Sequence, residues 1–310
     1  MTAIQANGIA LEYESIGDPG APAILLVMGL GTQMIAWPDT LCDGLVRAGF
    51  RVIRFDNRDC GLSEKFGSLG TPNVGRAMLR AWLGLPVRAP YTLDDMALDA
   101  IGLLDALGIP GAHVVGASMG GMIGQVLAAR HPGRVLSLTS IMSTTGARHL
   151  RRPTARVRRA MLQRPADPSS VDSIVENYER LYAVIGSPGY PTPPEQLRAR
   201  IRRSVERGYY PAGFLRQLAA VLASGDRSWL LARISCPTLV IHGKDDPLTP
   251  VDGGMDTARK IRDARLLLLD GFGHDLPPQL HERLAGEIAG HAKAASSRGP
   301  SRHLHDHPRA

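Results

Sequence analysis

The chain is expected to fold as an α/β domain, with a mostly parallel central sheet flanked by helices and a helical cap inserted between two of its strands. Three observations predict this. Short apolar runs alternate with helix-patterned stretches along most of the 310 residues. The runs lack the in-out alternation of a half-buried strand, so they read as strands buried on both faces, as crossover helices impose on a parallel sheet. Between residues 144 and 230 the alternation stops, and only charged helical patterns remain.

The N-terminal stretch MTAIQANGIALEYESIGDPG has neither a basic head nor a continuous apolar segment, so it does not read as a signal peptide. Strands are expected at AILLVMG (23–29), RVIRFD (51–56), AHVVG (112–116), VLSLTSI (135–141), PTLVIHG (237–243) and RLLLLDG (265–271). YTLDDMALDAIGLLDALGI supplies a crossover helix. Thr92 and Asp95 form a capping box, Met96, Ala100, Leu103, Leu104 and Leu107 an apolar stripe, and Gly108 ends it.

The expected organisation is a first core segment (1–143), a helical cap (144–230), a second core segment (231–294) and a disordered tail (295–310). Within the cap, SSVDSIVENYERLYAVI and TPPEQLRARIRRSVERG read as helices separated by GSPGYPTPP. An insertion there covers the C-terminal ends of the strands, where open α/β sheets bind ligands. In the tail, the alternating His303, His305 and His307 give no metal site on spacing alone.

Composition narrows the function. Apolar residues make up 44% and charged residues 21%, and no run approaches the roughly 20 apolar residues of a membrane span. Cys42, Cys60 and Cys236 form no C-x-x-C pair and no disulfide framework, which favours the cytoplasm. The net charge of +7 is a local excess: residues 144–230 carry 15 Arg against 7 acids. That pattern suits a solvated helical surface or the steering of an acidic ligand better than a nucleic-acid partner.

The chemistry centres on HVVGASMGG (113–121). Gly116-Ala117-Ser118-Met119-Gly120 matches G-x-S-x-G between an expected strand and the apolar helix MIGQVLAARH, the setting that projects a serine hydroxyl from a strained turn. A neutral hydroxyl needs a base. His274, in the loop after RLLLLDG, lies at the same sheet end as Ser118; His242, just before Gly243, suits a packed histidine. An orienting acid is offered by Asp245 or Asp246 in VIHGKDDPLTP, whereas the stretch after VLSLTSI offers none. Backbone N–H groups of Met119 and of Leu30, in VMGLGTQMIAW, are the expected oxyanion donors. Gln33, Met34 and Trp37 from the same loop are expected pocket residues. Arg58 and Asp59 read as holding their own loop, and Tyr209 and Tyr210 have no assigned place.

These stretches, with RVIRFDNRDCGLS and GFGHDLP, resemble the α/β-hydrolase fold family, and are most similar to its single-serine esterases of the aclacinomycin methylesterase type. The resemblance covers about 1–143 and 231–290. It implies Asp246 as the acid, through Gly243, Asp246 and Pro250, and Leu30 and Met119 as oxyanion donors. Relatives acting on chloroalkanes or epoxides use an aspartate nucleophile, which Ser118 argues against. Two departures, Met28-Gly29 for His-Gly and Asp56-Asn57-Arg58-Asp59-Cys60-Gly61-Leu62-Ser63 for D-x-R-G-x-G-x-S, resemble the methylesterase branch.

The implied activity is carboxylic ester hydrolysis through a serine acyl-enzyme, on short-acyl, aryl or methyl esters. A lactonase, a C–C bond hydrolase with the same three residues, and a non-catalytic binding protein are the alternatives. No cofactor or metal is expected. The expected partners are a small ester and water, with no nucleic acid and no membrane; the oligomeric state is not legible.

Overall fold

Each of the six expected apolar runs carries a strand in the computed structural model, which describes residues 2–297. The strands are β1 (Thr2–Ala6), β2 (Ile9–Ile16), β3 (Ala23–Val27), β4 (Arg51–Phe55), β5 (Ala112–Ala117), β6 (Val135–Ile141), β7 (Thr238–Gly243) and β8 (Arg265–Leu269). They form one sheet in the order β1-β2-β4-β3-β5-β6-β7-β8. The β1/β2 and β2/β4 pairs are antiparallel, and all the others are parallel.

Successive side chains explain why the runs are apolar without alternation. Leu25, Val27, Ile53 and Val114 enter one core, together with Met96, Leu103 and Leu104 of α3 (Leu93–Ala106) and Ile123 and Leu127 of α4 (Met119–Arg130). Ile24, Leu26, Val52 and Val115 enter the other, with Leu41 and Leu45 of α1 (Asp39–Arg47) and Leu284 and Ile288 of α11 (His281–Ser297). A strand covered on both faces meets an apolar layer on either side, so its residues are mostly apolar without alternation.

The antiparallel β1–β2 hairpin was not among the expected strands. Its strands are mixed in polarity and partly exposed, so they lack the signal of a doubly covered strand. The turn is Asn7-Gly8, with φ of 52° and 76°, the pair of positive values that a two-residue type I′ hairpin requires. On α3 the capping box is present as expected, with Thr92 and Asp95 bonding each other's backbone N–H. Leu107 caps the helix and Gly108 follows at φ 65°.

The segment between β6 and β7 is wholly helical: α5 (Ala155–Leu162), α6 (Val171–Ile185), α7 (Pro194–Gly208), α8 (Pro211–Ser224) and α9 (Ser228–Leu231). The two charged patterns of the sequence are α6 and α7. Two further helices complete the set, α2 (Val74–Leu83), which packs on α8, and α10 (Val251–Lys260). The expected tail is corrected at its start, because α11 runs through Ser297. The remainder of it, with His303, His305 and His307, lies outside the described residues. Among the described residues no helix is long and apolar enough to cross a membrane.

Candidate active site

Ser118 sits between the end of β5 and the first turn of α4 at φ 55° and ψ −118°, a backbone conformation costing a non-glycine residue about 1–3 kcal/mol. The surroundings enforce it. The Ser118 N–H donates to Ile141 O at 2.9 Å, and Ser143 Oγ donates to Ser118 O at 2.8 Å. A Cβ on Gly120 would collide with the Val27 carbonyl, and one on Gly116 with the Gly120 carbonyl. The small residues of the motif therefore let α4 start directly against β3 and β5.

His274 follows β8 in the loop to α11, at the same sheet end. Its Nε2 lies 3.0 Å from Ser118 Oγ and its Nδ1 2.7 Å from Asp246 Oδ2. Asp246 follows β7; its Oδ1 accepts from the N–H groups of Leu248 and Thr249 at 2.9 and 2.8 Å. A carboxylate only accepts, so Nδ1 carries the ring proton and Nε2 presents a lone pair to the serine. Asp246 and His274 are both buried. The cap holds the histidine as well, since the His274 N–H donates to Ile185 O of α6 at 2.7 Å.

The rival residues are placed elsewhere. Asp245 is exposed and accepts from the Gly271 N–H at 2.8 Å. His242 is fully buried and bonds Thr249 O through Nε2 at 2.8 Å; burial pushes its pKa down against the pull of the Asp246 charge, so it is a neutral packed residue. Burial pushes all three thiols up, Cys42 to about 12 and Cys236 to about 11, away from the range of a reactive thiolate.

Met119 opens α4, and its N–H is one of the first-turn donors a helix cannot satisfy internally. Leu30 lies in a turn closed by the Thr32 N–H donating to Gly29 O at 3.2 Å, with Gly31 at φ 64°. Among the described residues neither N–H has a protein acceptor. Gly29 eases this approach, since a Cβ there would stand 3.2 Å from Ser118 Cβ, a tight contact.

Of the expected pocket residues, Met34 and Trp37 are corrected. Both are fully buried and line neither the large cavity over Ser118 nor the small one beside it; Trp37 belongs to the core beneath the loop. Gln33 ties the loop to the cap, donating to Ser204 O and Gly208 O at 2.6 and 3.2 Å and accepting from Arg207. It lines only a small side cavity of about 80 Å³. Ser118, Met119, Leu30 and His274 instead share the wall of a cavity of about 1170 Å³ between sheet and cap.

Arg58 and Asp59 hold the structure together, with partners the sequence did not reveal. Arg58 pairs with Asp99 of α3, and Asp59 with the fully buried Arg216 of α8 at 2.8 Å. Burial acts to raise the Asp59 carboxyl, but hydrogen bonds from Arg216, the Phe66 N–H and Tyr91 outweigh it and hold the group below its ordinary range. Tyr210, unplaced by sequence, accepts from Arg216 at 2.9 Å. Next to Arg216, the buried Gln217 accepts from the Gly31 N–H and donates to Arg58 O, both at 2.7 Å. The adjacent polar pair inside the apolar run FLRQLAAVLA was the signal for this contact. Among the described residues no group of three or more His, Cys, Asp or Glu is arranged to hold a metal.

The sheet order, the crossover helices and the cap over the strand ends define an α/β-hydrolase architecture. The chain belongs to the α/β hydrolase fold family, whose sequence profile matches residues 22–278. It is 29% identical to rhodomycin D methylesterase of Streptomyces peucetius, over 94% of this chain and 98% of that one. It is also 29% identical to 3-oxoadipate enol-lactonase 2 of Acinetobacter baylyi, over 86% and 87% of the two chains. Among solved structures, the enol-lactonase from Burkholderia xenovorans superposes with a TM-score of 0.70 at 24% identity, covering 94% of this chain and all of that one. A meta-cleavage product hydrolase from Pseudomonas fluorescens gives 0.74 at 19%, covering 95% and 98%; both likenesses are of fold.

Proposed function

We propose that the protein is a serine carboxylic ester hydrolase of the methylesterase type, acting through an acyl-enzyme on short-acyl, aryl or methyl esters. The observation that carries this reading is the unbroken chain from Asp246 through His274 to Ser118 Oγ at the wall of the large cavity. Ser118 Oγ attacks the ester carbonyl while His274 Nε2 takes its proton, and the imidazolium that forms is stabilised by Asp246. The tetrahedral oxyanion is received by the Leu30 and Met119 N–H groups, a donor of this kind being worth roughly 3–4 kcal/mol. As the intermediate collapses, His274 protonates the departing alcohol. Water, deprotonated by the same nitrogen, then releases the acid. No step requires a metal or organic cofactor.

Cavity size and relationship bear on the substrate. Ligand pockets ordinarily span about 300–1,000 Å³, and this one is larger, so an ester with one bulky partner fits. A methyl ester on a large apolar acid matches both the cavity and the methylesterase relative. The three free thiols fit a cytoplasmic setting. A lactonase is the second reading, favoured by the 29% identity to 3-oxoadipate enol-lactonase 2 over 86% of this chain, because opening a cyclic ester uses the same attack and the same oxyanion.

A fluorophosphonate reagent tests the nucleophile directly. Wild type is expected to take up one equivalent on the peptide containing Ser118, with fluoride displaced, and Ser118→Ala none. Labelling at another residue, or equal labelling of the variant, contradicts the reading.

A further inference from the structure

Residues that line the cavity and are also exposed mark its mouth. Four of them are large and apolar: Leu79 and Trp82 of α2, Leu85 behind it, and Leu162 at the end of α5. With the neighbouring Leu83 they are 46–60% exposed, whereas soluble proteins seldom leave such a group of side chains together in water. The same rim is cationic. Exposed Arg148, Arg152 and Arg158 also line the cavity, and Arg148 donates to the Trp82 carbonyl at 3.1 Å, which joins the two halves of the rim.

The charge is lopsided: among the exposed residues that line the cavity, Arg148, Arg151, Arg152 and Arg158 stand against a single acid, Asp226. Residues 65–93 and 142–166, the two segments that build the mouth, contain ten arginines and one lysine but no aspartate or glutamate. Among the described residues, Arg151 alone of these reaches an acid in an ion pair, with Asp252. On α2 itself Arg76 and Arg80 flank the exposed Leu79, Trp82 and Leu83. Basic residues beside leucine and tryptophan on one short helix form the pattern of elements that settle into a headgroup layer.

We propose that this mouth is a docking surface for an anionic lipid bilayer. Charge and apolarity together select that occupant. A second copy of the chain would bring an equally cationic rim against the first, which repels. A nucleic acid would take the arginines but leave the leucines in water. A neutral bilayer would take the leucines and Trp82 but gain nothing from the arginines. The absence of a membrane partner expected from the sequence rested on the lack of a spanning run, and docking at the surface needs none. Under the ester reading, on which this consequence alone rests, an apolar ester dissolved in the lipid would enter the cavity without crossing water.

The test uses the full chain with phosphatidylcholine vesicles, alone or with about one third phosphatidylglycerol, in sedimentation at about 0.1 M salt. Partition onto the anionic vesicles is expected to be at least about tenfold stronger, and to fall by about tenfold at 1 M salt. The triple variant Arg76→Glu/Arg156→Glu/Arg159→Glu changes no cavity-lining residue and is expected to lose the preference, with circular dichroism reporting its fold. Brominated lipid is expected to quench Trp82 emission, with the quenched component absent in Trp82→Phe. Absence of binding, equal binding to both vesicles, or binding that leaves Trp82 unquenched overturns the proposal. So does a concentration-dependent dimer that shields Trp82 from iodide. None of these readouts depends on Ser118, so failure of the docking and failure of the ester reading are separable.

Discussion

At Ser118, a positive φ is held in place by glycines at 116 and 120 that no larger residue could replace without displacing β3 or α4. Ser118→Ala keeps this backbone and removes the proposed nucleophile, so ester turnover is expected to fall by about 10⁴-fold or more, measured as initial rate on folded protein. Asp246→Asn places an N–H donor where His274 now donates and inverts the tautomer, for an expected loss of about 10⁴ in kcat. Asp245→Asn, one residue away, is expected to change kcat less than about threefold, since its side chain serves the Gly271 N–H. That Ser118 and His274 come together was legible because a strand, a motif and a following loop fix both to one sheet end. Residue type alone leaves Asp245 and Asp246 open, because both follow β7; the family resemblance points to Asp246, and in the fold it is the Asp246 carboxylate that meets His274. Met34 and Trp37 misled because the later side chains of the loop bearing the Leu30 N–H are buried away from the large cavity, Trp37 in the core beneath it.

At the level of elements, α8 couples the cap to the core. Through Gln217 it holds the Gly31 N–H of the turn that presents Leu30, and through Arg216 it neutralises Asp59. Gln217→Met retains bulk but no acceptor, and is expected to lower kcat by about tenfold or more with KM changed less than about threefold, because the turn rather than the cavity loosens. Arg216→Met leaves a buried carboxylate without its partner, a change that costs about 3–5 kcal/mol; the urea midpoint reports it. Long helices and doubly covered strands were readable because their patterns repeat. The β1–β2 hairpin carried only Asn7-Gly8 as a signal, and the α8 contacts lie more than 150 residues apart in the chain, where spacing carries no information.

For the whole molecule, three buried histidines set a pH dependence. Burial, helped by the neighbouring His291, holds His113 at about 4 against an ordinary 6.5, and burial also depresses His242 and His281. Between pH 6.5 and 4 the unfolded chain binds the extra proton at position 113. The stabilisation is therefore complete above about 6.5 and lost as pH falls toward 4. Urea midpoints are expected to drop over that window, and to drop less in His113→Asn; equal slopes contradict the assignment. The sheet-and-cap architecture was legible because a break in a regular alternation is visible in one dimension. The size of the cavity and the composition of its mouth were not, because α2, α5 and α8 meet only in three dimensions. The most direct test of the central claim is pre-steady-state hydrolysis of p-nitrophenyl esters, acetate through decanoate, by wild type and Ser118→Ala together. Turnover in wild type on at least one chain length, with an initial burst where deacylation limits, is predicted to vanish in the variant; turnover that survives the loss of Ser118 would contradict the acyl-enzyme account.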